Sequence, residues 1–151
     1  MMAQSASELI RYWDSGEGKP YKGKLIDWSA YNGDGDAPPA NLGCMCAQGQ
    51  ALHLIGGWSP QRLHDTEQFE ADLESAKLLN ISRGHSVLLR TVNDNEDGAP
   101  SIVLTNPAKI LGDQAHVVLA FWHALDGFTP EQWAAAWDAA RDAAWAAARD
   151  A

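Results

Sequence analysis

The sequence predicts a mainly α protein, a helical bundle of about six helices with one irregular loop region near its N-terminus. Apolar residues recur at spacings of three and four residues through most of the chain, whereas strict alternation never lasts beyond about five residues. Helix-capping patterns precede several of these windows. A chain of 151 residues is long enough for one ordinary core, so we expect residues 1–151 to form a single helical domain.

The N-terminal part divides into a short helix and a loop. Ser5 and Glu8 form a capping-box pattern, which predicts a helix over residues 5–15. Residues 17–40 are rich in Gly and Pro and form the least regular region. Within them, residues 24–28 are candidates for an extended segment, because they are few and lie between turn formers.

The next segment predicts a helix that carries the two cysteines. Asn41 is the expected N-cap of a helix over residues 42–55, which two glycines end. Cys44, Ala47 and Ala51 would lie on its apolar face, at spacings of three and four. The Ser-Pro pair that follows predicts a short turn.

Four further helices are predicted before residue 127 by N-cap residues and apolar periodicity. Asn80 closes the first of them and Gly112 closes the third. Residues 101–104 stay ambiguous between a strand and a helical turn, since so short a segment cannot fix a period. The four helices begin at Thr66, Ser82, Asn106-Pro107 and Asp113.

The last helix has the clearest start signal in the chain. Thr129-Pro130-Glu131-Gln132 combines an N-cap residue, Pro at the first helical position and a capping-box Gln. The chain then continues as WAAAWDAARDAAWAAARDA, in which the commonest residue is Ala, the best helix former. We therefore predict a terminal Ala/Trp-rich helix over residues 130–150.

Trp or Arg recurs every four residues in this helix. A period of four exceeds the helical 3.6, so the row winds through about 160° along the helix. Two interpretations remain open. In one, this is an ordinary terminal core helix in which Arg141 stacks on Trp137 or Trp145. In the other, the later turns form a partner-binding face, because Trp and Arg dominate interface energetics. The residues of that face are Trp137, Arg141, Trp145 and Arg149.

The winding of the row predicts which indoles meet the bundle. We expect Trp133 and Trp137 to be largely buried, and Trp145 to be partly exposed or covered by a second copy or another protein. An exposed Trp on a terminal turn would be an aggregation liability without some such use. A homo-oligomer or a partner contact through residues 141–149 is therefore the expectation.

The acidic charge and the hydropathy of the chain limit the kinds of partner and the cellular location that we expect. A net charge of −9 argues against direct binding to nucleic acid, whose phosphates would repel it. No apolar run is long enough to span a bilayer, so we expect no membrane contact. The first residues lack the pattern of a signal peptide. Two cysteines separated by one residue suit a reducing compartment, so we expect a cytoplasmic location.

Much of the chain resembles uncharacterised bacterial and phage proteins. The matching stretches are NLGCMCAQGQALHLIGGW (41–58), NISRGHSVLLRTVND (80–94) and LTNPAKILGDQAHVVLAFWHALDGFTPEQW (104–133). In such proteins a similar C-terminal region continues into Ala/Trp/Asp/Arg repeats like the tail of this chain. The resemblance implies a bacterial or phage origin. It implies no activity and no catalytic residues.

Cys44 is the main candidate for chemistry. A Cys just inside a helix N-terminus has a stabilised thiolate, and with His85 or His116 as its base it would form a cysteine hydrolase. Cys44 also falls at helical spacing with Ala47 and Ala51, where a small buried apolar residue fits. We therefore expect a buried and unreactive Cys44, with the hydrolase as the alternative.

The sequence predicts no metal ion. Two cysteines at positions i and i+2 of a helix point about 200° apart, so Cys44 and Cys46 would not share a zinc ion. If the segment is a loop instead, these two with His53 and His64 supply four ligands, in a spacing that matches no known pattern.

Two acidic segments are interpreted as turns, and no cofactor is predicted. Residues 93–98 match the first half of a calcium-binding loop, but its twelfth position is Leu104 where a Glu is needed. Asp34-Gly35-Asp36 has no third ligand near it in sequence. The common motifs for nucleotide binding, zinc proteolysis and serine hydrolysis do not occur.

Three functions compete on this sequence. The leading one is a non-enzymatic, protein-binding module of a bacterium or its phage, for example a phage-encoded inhibitor of a host defence or regulatory protein. It is favoured because the chain is acidic, helical, rich in Trp and without catalytic motifs. The alternative is the hydrolase built on Cys44. A third is a sponge for small nucleotides, whose basic groups would be Lys19, Lys22, Lys24, Arg83 and Arg90.

Overall fold

The computed structural model describes residues 5–31, 42–95 and 100–150. Its fold is mainly α, as predicted: 71% of the structure is helical, and the described residues form nine α-helices and no strand. A 3-10 turn at Leu42–Cys44 precedes the second helix. The helices are α1 Ala6–Ser15, α2 Ala47–Leu54, α3 Pro60–Asp65, α4 Gln68–Leu79, α5 Arg83–Asn95, α6 Ser101–Thr105, α7 Ala108–Leu111, α8 Ala115–Asp126 and α9 Pro130–Asp150.

The helix count exceeds the six expected because several helices are short. The predicted turn after Ser59 is helix α3, whose N-cap Ser59 accepts a hydrogen bond from the backbone N–H of Arg62. The ambiguous residues 101–104 lie in α6. Helices of four to six residues hold too few side chains to display a 3.6-residue period.

Helix α2 lies at the centre of the bundle, and all eight of its residues are buried. It contacts α1, α3, α4 and α5. Gly49 lets the chain before it come close: a Cβ built on Gly49 would lie 2.2 Å from the carbonyl oxygen of Leu25. Two clusters of buried apolar side chains fill the space around α2. One includes Leu9, Trp13, Ala51 and Leu89, and the other includes Leu25, Met45, Leu52, Trp58 and Leu63.

The start of α2 differs from the prediction. The helix expected over residues 42–55 begins only at Ala47, because Met45 is extended and forms an isolated antiparallel bridge with Ile26. Its N-cap is Cys46, whose Sγ accepts a hydrogen bond from the backbone N–H of Gly49 over 3.4 Å. The predicted cap Asn41 lies outside the described residues.

The irregular region is described only in part. Residues 17–31 contain turns and bends. The extended segment expected over residues 24–28 is reduced to the single bridge at Ile26. Residues 32–40, including the predicted turn at Asp34-Gly35-Asp36, lie outside the described part of the chain, as do residues 96–99 of the predicted acidic loop.

Several helix ends confirm their predicted caps. The hydroxyl of Ser5 accepts from the N–H of Glu8, and that of Ser82 accepts from the N–H of His85. Asn80 ends α4 in the left-handed conformation, with φ of 55°. Two N-caps were predicted one residue before their position in the structure. The structure places Glu67 and Gln114 at the N-caps of α4 and α8, where Thr66 and Asp113 were expected.

The described helices include none that combines the length and apolar character needed to cross a membrane.

Candidate functional site

Helix α9 begins at the capping box that the sequence predicted. The Oγ1 of Thr129 accepts from the N–H of Gln132 over 3.2 Å, and the Oε1 of Gln132 accepts from the N–H of Thr129 over 2.8 Å. The helix then runs for 21 residues to Asp150, none of them buried. Its stability therefore comes from the alanine content and the cap, since packing against the bundle contributes little.

The three indoles of α9 face solvent. Their side chains are exposed by 42% at Trp133, 73% at Trp137 and 64% at Trp145. The expectation that Trp133 and Trp137 are largely buried is therefore wrong, and so is the interpretation of α9 as a terminal core helix. The exposure of Trp145 is as expected. The physical reason is that no other described helix packs along α9, so the row winds around a helix that the bundle does not cover.

The arginine of this row pairs with an acid and not with an indole. Arg141 donates from Nη2 to the Oδ1 of Asp138 over 3.0 Å, and both side chains are exposed. The expected stacking of Arg141 on Trp137 or Trp145 is absent from the cation–π contacts of the described residues. Trp137, Arg141, Trp145 and Arg149 thus remain accessible along one row of the helix.

Helix α8 adds an apolar face that the sequence reasoning missed. Ala115 is buried and Val118, Leu119, Trp122 and Leu125 are half-buried, at spacings of three and four residues along one side of the helix. On the other side, Val117 and Phe121 are one turn apart and exposed by 52% and 60%. The signal was present in the sequence, because α8 is apolar on nearly all sides, which a helix packed on one face does not need.

An open apolar groove lies between α4, α5, α8 and the start of α9. Its volume is about 680 Å³. The guanidinium of Arg83 lies 4.8 Å from the centre of the Phe69 ring at one wall, and Phe128 meets Trp133 edge to face at 5.2 Å at another. Phe69 is 60% exposed.

A second, more polar cavity of about 690 Å³ lies beside the bridge region. The indole of Trp28 stacks on the imidazole of His64, with the ring centres 4.2 Å apart. The ring centre of Tyr31 lies 5.1 Å from that of Trp28. Lys24 and Gln68 also line this cavity. The rings of Trp28, Tyr31 and His64 therefore contact one another at this cavity.

Both cysteines are buried, as predicted for Cys44. Burial raises the pKa of the Cys44 thiol, and the neighbouring Asp27 carboxylate raises it further, against a backbone hydrogen bond that lowers it. Burial also raises the pKa of Cys46 to about 11, although the N–H groups of Gly49 and Gln48 act in the opposite direction. A nucleophilic cysteine needs a stabilised thiolate. Here both environments favour the neutral thiol.

The two candidate histidines have surroundings unrelated to Cys44. His85 Nε2 lies 2.6 Å from the carbonyl oxygen of Val103, which links α5 to α6. His116 is exposed on α8. Cys44 itself lies in the 3-10 turn against Leu25, Met45 and Trp58, in the other apolar cluster. The predicted set of Cys44, His85 and His116 is therefore not joined by any hydrogen bond described in the structure.

Three of the remaining candidates for ligand binding contact other groups of the protein. His53, one of the four residues considered for zinc, has its Nδ1 2.7 Å from the carbonyl oxygen of Trp58. Among the residues that the structure describes, no group of three potential metal ligands comes together. Of the five cations considered for a nucleotide, Arg90 binds Asp72 and Arg83 contacts Phe69.

No family model, curated protein or solved structure matches this chain.

Proposed function

We propose that this chain is a protein-binding module without a catalytic role, and that α9 is its binding element. The observation that carries the proposal is a helix of 21 residues that buries none of them while it exposes three indoles. Indole and guanidinium groups contribute most of the binding energy at protein interfaces. Contiguous exposed apolar surface of this kind is typical of an interaction site.

The proposal extends to origin and place of action. We infer a bacterial or phage protein of the reducing cytoplasm, from the resemblance of residues 41–133 and from two unpaired, buried cysteines. A phage-encoded inhibitor of a host defence or regulatory protein is its specific form. Such a protein acts by covering a surface of its target, and the exposed helix supplies a surface for that purpose. The net charge of −9 favours a protein partner over nucleic acid.

The alternative hydrolase gains no support from these contacts. Its nucleophile would be Cys44, whose pKa is raised by burial. Its bases would be His85 and His116, and the first of these bonds to the backbone of α6. A reactive thiol requires the opposite shift.

Photo-crosslinking in cells tests the proposal. A photoreactive phenylalanine derivative replaces Trp137, an exposed aromatic side chain of α9, and in a matched control it replaces Thr91, which is exposed on α5. The experiment uses the full chain in the bacterium that carries the gene or its phage. We expect adducts of discrete mass from the Trp137 probe and none from the Thr91 probe. Equal, diffuse or absent adducts at the two positions would overturn the proposal.

A further inference from the structure

The pattern of α9 divides its surface into four rows of residues four apart. The ridge consists of the large residues Trp133, Trp137, Arg141, Trp145 and Arg149. The alanine groove consists of Ala136, Ala140, Ala144 and Ala148. The groove row lies 60° around the helix from the ridge, because three residues at 100° each turn through 300°. A row of large side chains and a row of alanines thus lie side by side and wind together around the uncovered helix.

We propose that α9 docks on α9 of a second copy of this chain, with the ridge of each helix lying in the alanine groove of the other. The inference rests on the proposed function and names its partner. Rows of residues four apart are inclined to the helix axis by about 26°, so two such rows align when the helices cross at about −50°. The rows of α9 wind around the helix and form no straight seam. Rows inclined in this way are the ones that align when two helices cross at about −50°.

The shape of α9 favours a copy of itself over an unrelated partner. Ridge and groove have the same pitch and lie next to each other, so a twofold axis between two copies satisfies both contacts at once. Alanine side chains in the groove allow the axes to approach to the short end of the usual 8–10 Å range. An unrelated helix would have to carry a row of large residues beside a row of small ones.

The charge distribution of α9 also fits self-association of an acidic chain. The acidic side chains Asp138, Asp142 and Asp150 share the row on the other flank of the ridge, 100° away from it. The contact face therefore consists mainly of alanines and indoles, and the acid Asp138, which pairs with Arg141 over 3.0 Å, lies at its edge. Two copies of a chain with net charge −9 repel each other at long range. Because these acidic side chains remain in solvent when the helices dock, salt screens the repulsion between the two copies.

The available surface suits a weak or moderate dimer. The ridge drifts by about 40° per four residues, so a contact centred on Arg141 includes Trp137 and Trp145, which supply on the order of 250 Å² per copy. The arginine and alanine side chains add to this area. A standard interface buries about 800 Å² per partner, and a smaller one is typical of transient complexes. We expect a dissociation constant of the dimer in the micromolar range.

Sedimentation equilibrium of the full chain tests the inference with a matched pair of variants. Ala140→Glu with Ala144→Glu places two carboxylates in the groove, and Ala139→Glu with Ala143→Glu places them in the alanine row 100° further around the helix. Both variants have the same composition, the same net charge and the same helix propensity. We expect a wild-type dimer, at least a hundredfold weaker dimerisation in the groove variant, and little change in the control.

Three results would overturn the inference: a wild type that stays monomeric up to about 200 µM, equal weakening in both variants, or no weakening in the groove variant. The Trp137 photo-crosslink separates this inference from the proposed function. An adduct with the mass of two chains supports both proposals. An adduct with another protein only supports the proposed function and overturns the self-docking, and the absence of any adduct overturns both.

Discussion

The guanidinium of Arg90 binds the carboxylate of Asp72 through two hydrogen bonds, from Nε to Oδ1 at 3.0 Å and from Nη2 to Oδ2 at 3.1 Å. The same Oδ1 accepts from the amides of Gln48 and Gln68, each over 2.9 Å. Gln48 is fully buried, and its Nε2 also reaches the backbone and hydroxyl of Ser86. This network joins α2, α4 and α5, and Asp72 is the acceptor on which its donors converge.

Replacing Asp72 by Ala should destabilise the bundle by about 2 to 3 kcal/mol, because it leaves three donors without their shared acceptor. The partly exposed Arg90 reaches water, which keeps the loss below that of a fully buried pair. Asp138→Ala is the control, since Asp138 pairs with Arg141 at the same 3.0 Å but on exposed α9. Urea unfolding followed by circular dichroism measures both. Equal effects of the two substitutions would contradict a structural role for the network.

Gly49→Ala should destabilise the protein strongly although it raises helix propensity. The added Cβ would lie 2.2 Å from the carbonyl oxygen of Leu25, a backbone atom that cannot move without breaking the bridge region. Overpacking of this kind costs about 1 to 3 kcal/mol or more. Gly127→Ala is the matched control, because its Cβ would find ordinary contact at 3.6 Å. Thermal melts of the two variants should differ, and a neutral Gly49→Ala would show that the close approach is absent.

The sequence predicted helix ends well where the signal is local. Ser82, Asn80 and Thr129 each act within four residues of the cap, so their chemistry is contained in a short window. It misplaced the start of α2, because the bridge between Met45 and Ile26 joins segments that lie far apart along the chain. No local pattern contains that pairing.

The candidate surface was half predicted. The four-residue row of α9 showed which residues share a face, and it named Trp137, Arg141, Trp145 and Arg149 correctly as neighbours along one row. Periodicity does not show whether another helix covers that face, so the burial of Trp133 and Trp137 was wrongly predicted. Coverage depends on tertiary packing, which places α8 against α5 and leaves α9 without a neighbour of that kind.

The thiols of Cys44 and Cys46 should react slowly with a thiol reagent at neutral pH and quickly after denaturation. Burial raises the pKa of both groups and keeps the reagent out. Stopped-flow labelling with and without guanidinium chloride measures the two rates, and Cys44→Ala and Cys46→Ala assign them. Rapid labelling of native Cys44 would contradict this prediction and favour the alternative function as a cysteine hydrolase.

The stability of the bundle should fall as the pH rises from about 9 to about 11. The pKa of Cys46 is about 11 in the folded chain against the ordinary 9.0. Between these values the unfolded chain loses the thiol proton and the folded chain keeps it, so unfolding becomes easier. The contribution is complete below pH 9 and its loss amounts to roughly 2 to 3 kcal/mol. Cys46→Ser keeps an N-cap acceptor without a titrating thiol, so urea unfolding of this variant should lose that part of the pH dependence. An unchanged slope would contradict the buried thiol.

Truncation after Ala140 should leave the bundle folded and weaken its association. The removed residues include Trp145 and Arg149, and none of the residues of α9 is buried, so the core loses no packing. The midpoint of thermal unfolding should therefore stay within a few degrees of the full chain, measured at a concentration where both are monomeric. Sedimentation should show weaker association, because the shortened ridge retains Trp133 and Trp137 but no later turn. A chain ended after Arg149 is the control and should behave as the wild type. Unfolding of the shorter chain would show that α9 supports the bundle after all, and undiminished association would place the docking surface elsewhere, for example on the exposed Val117 and Phe121 of α8.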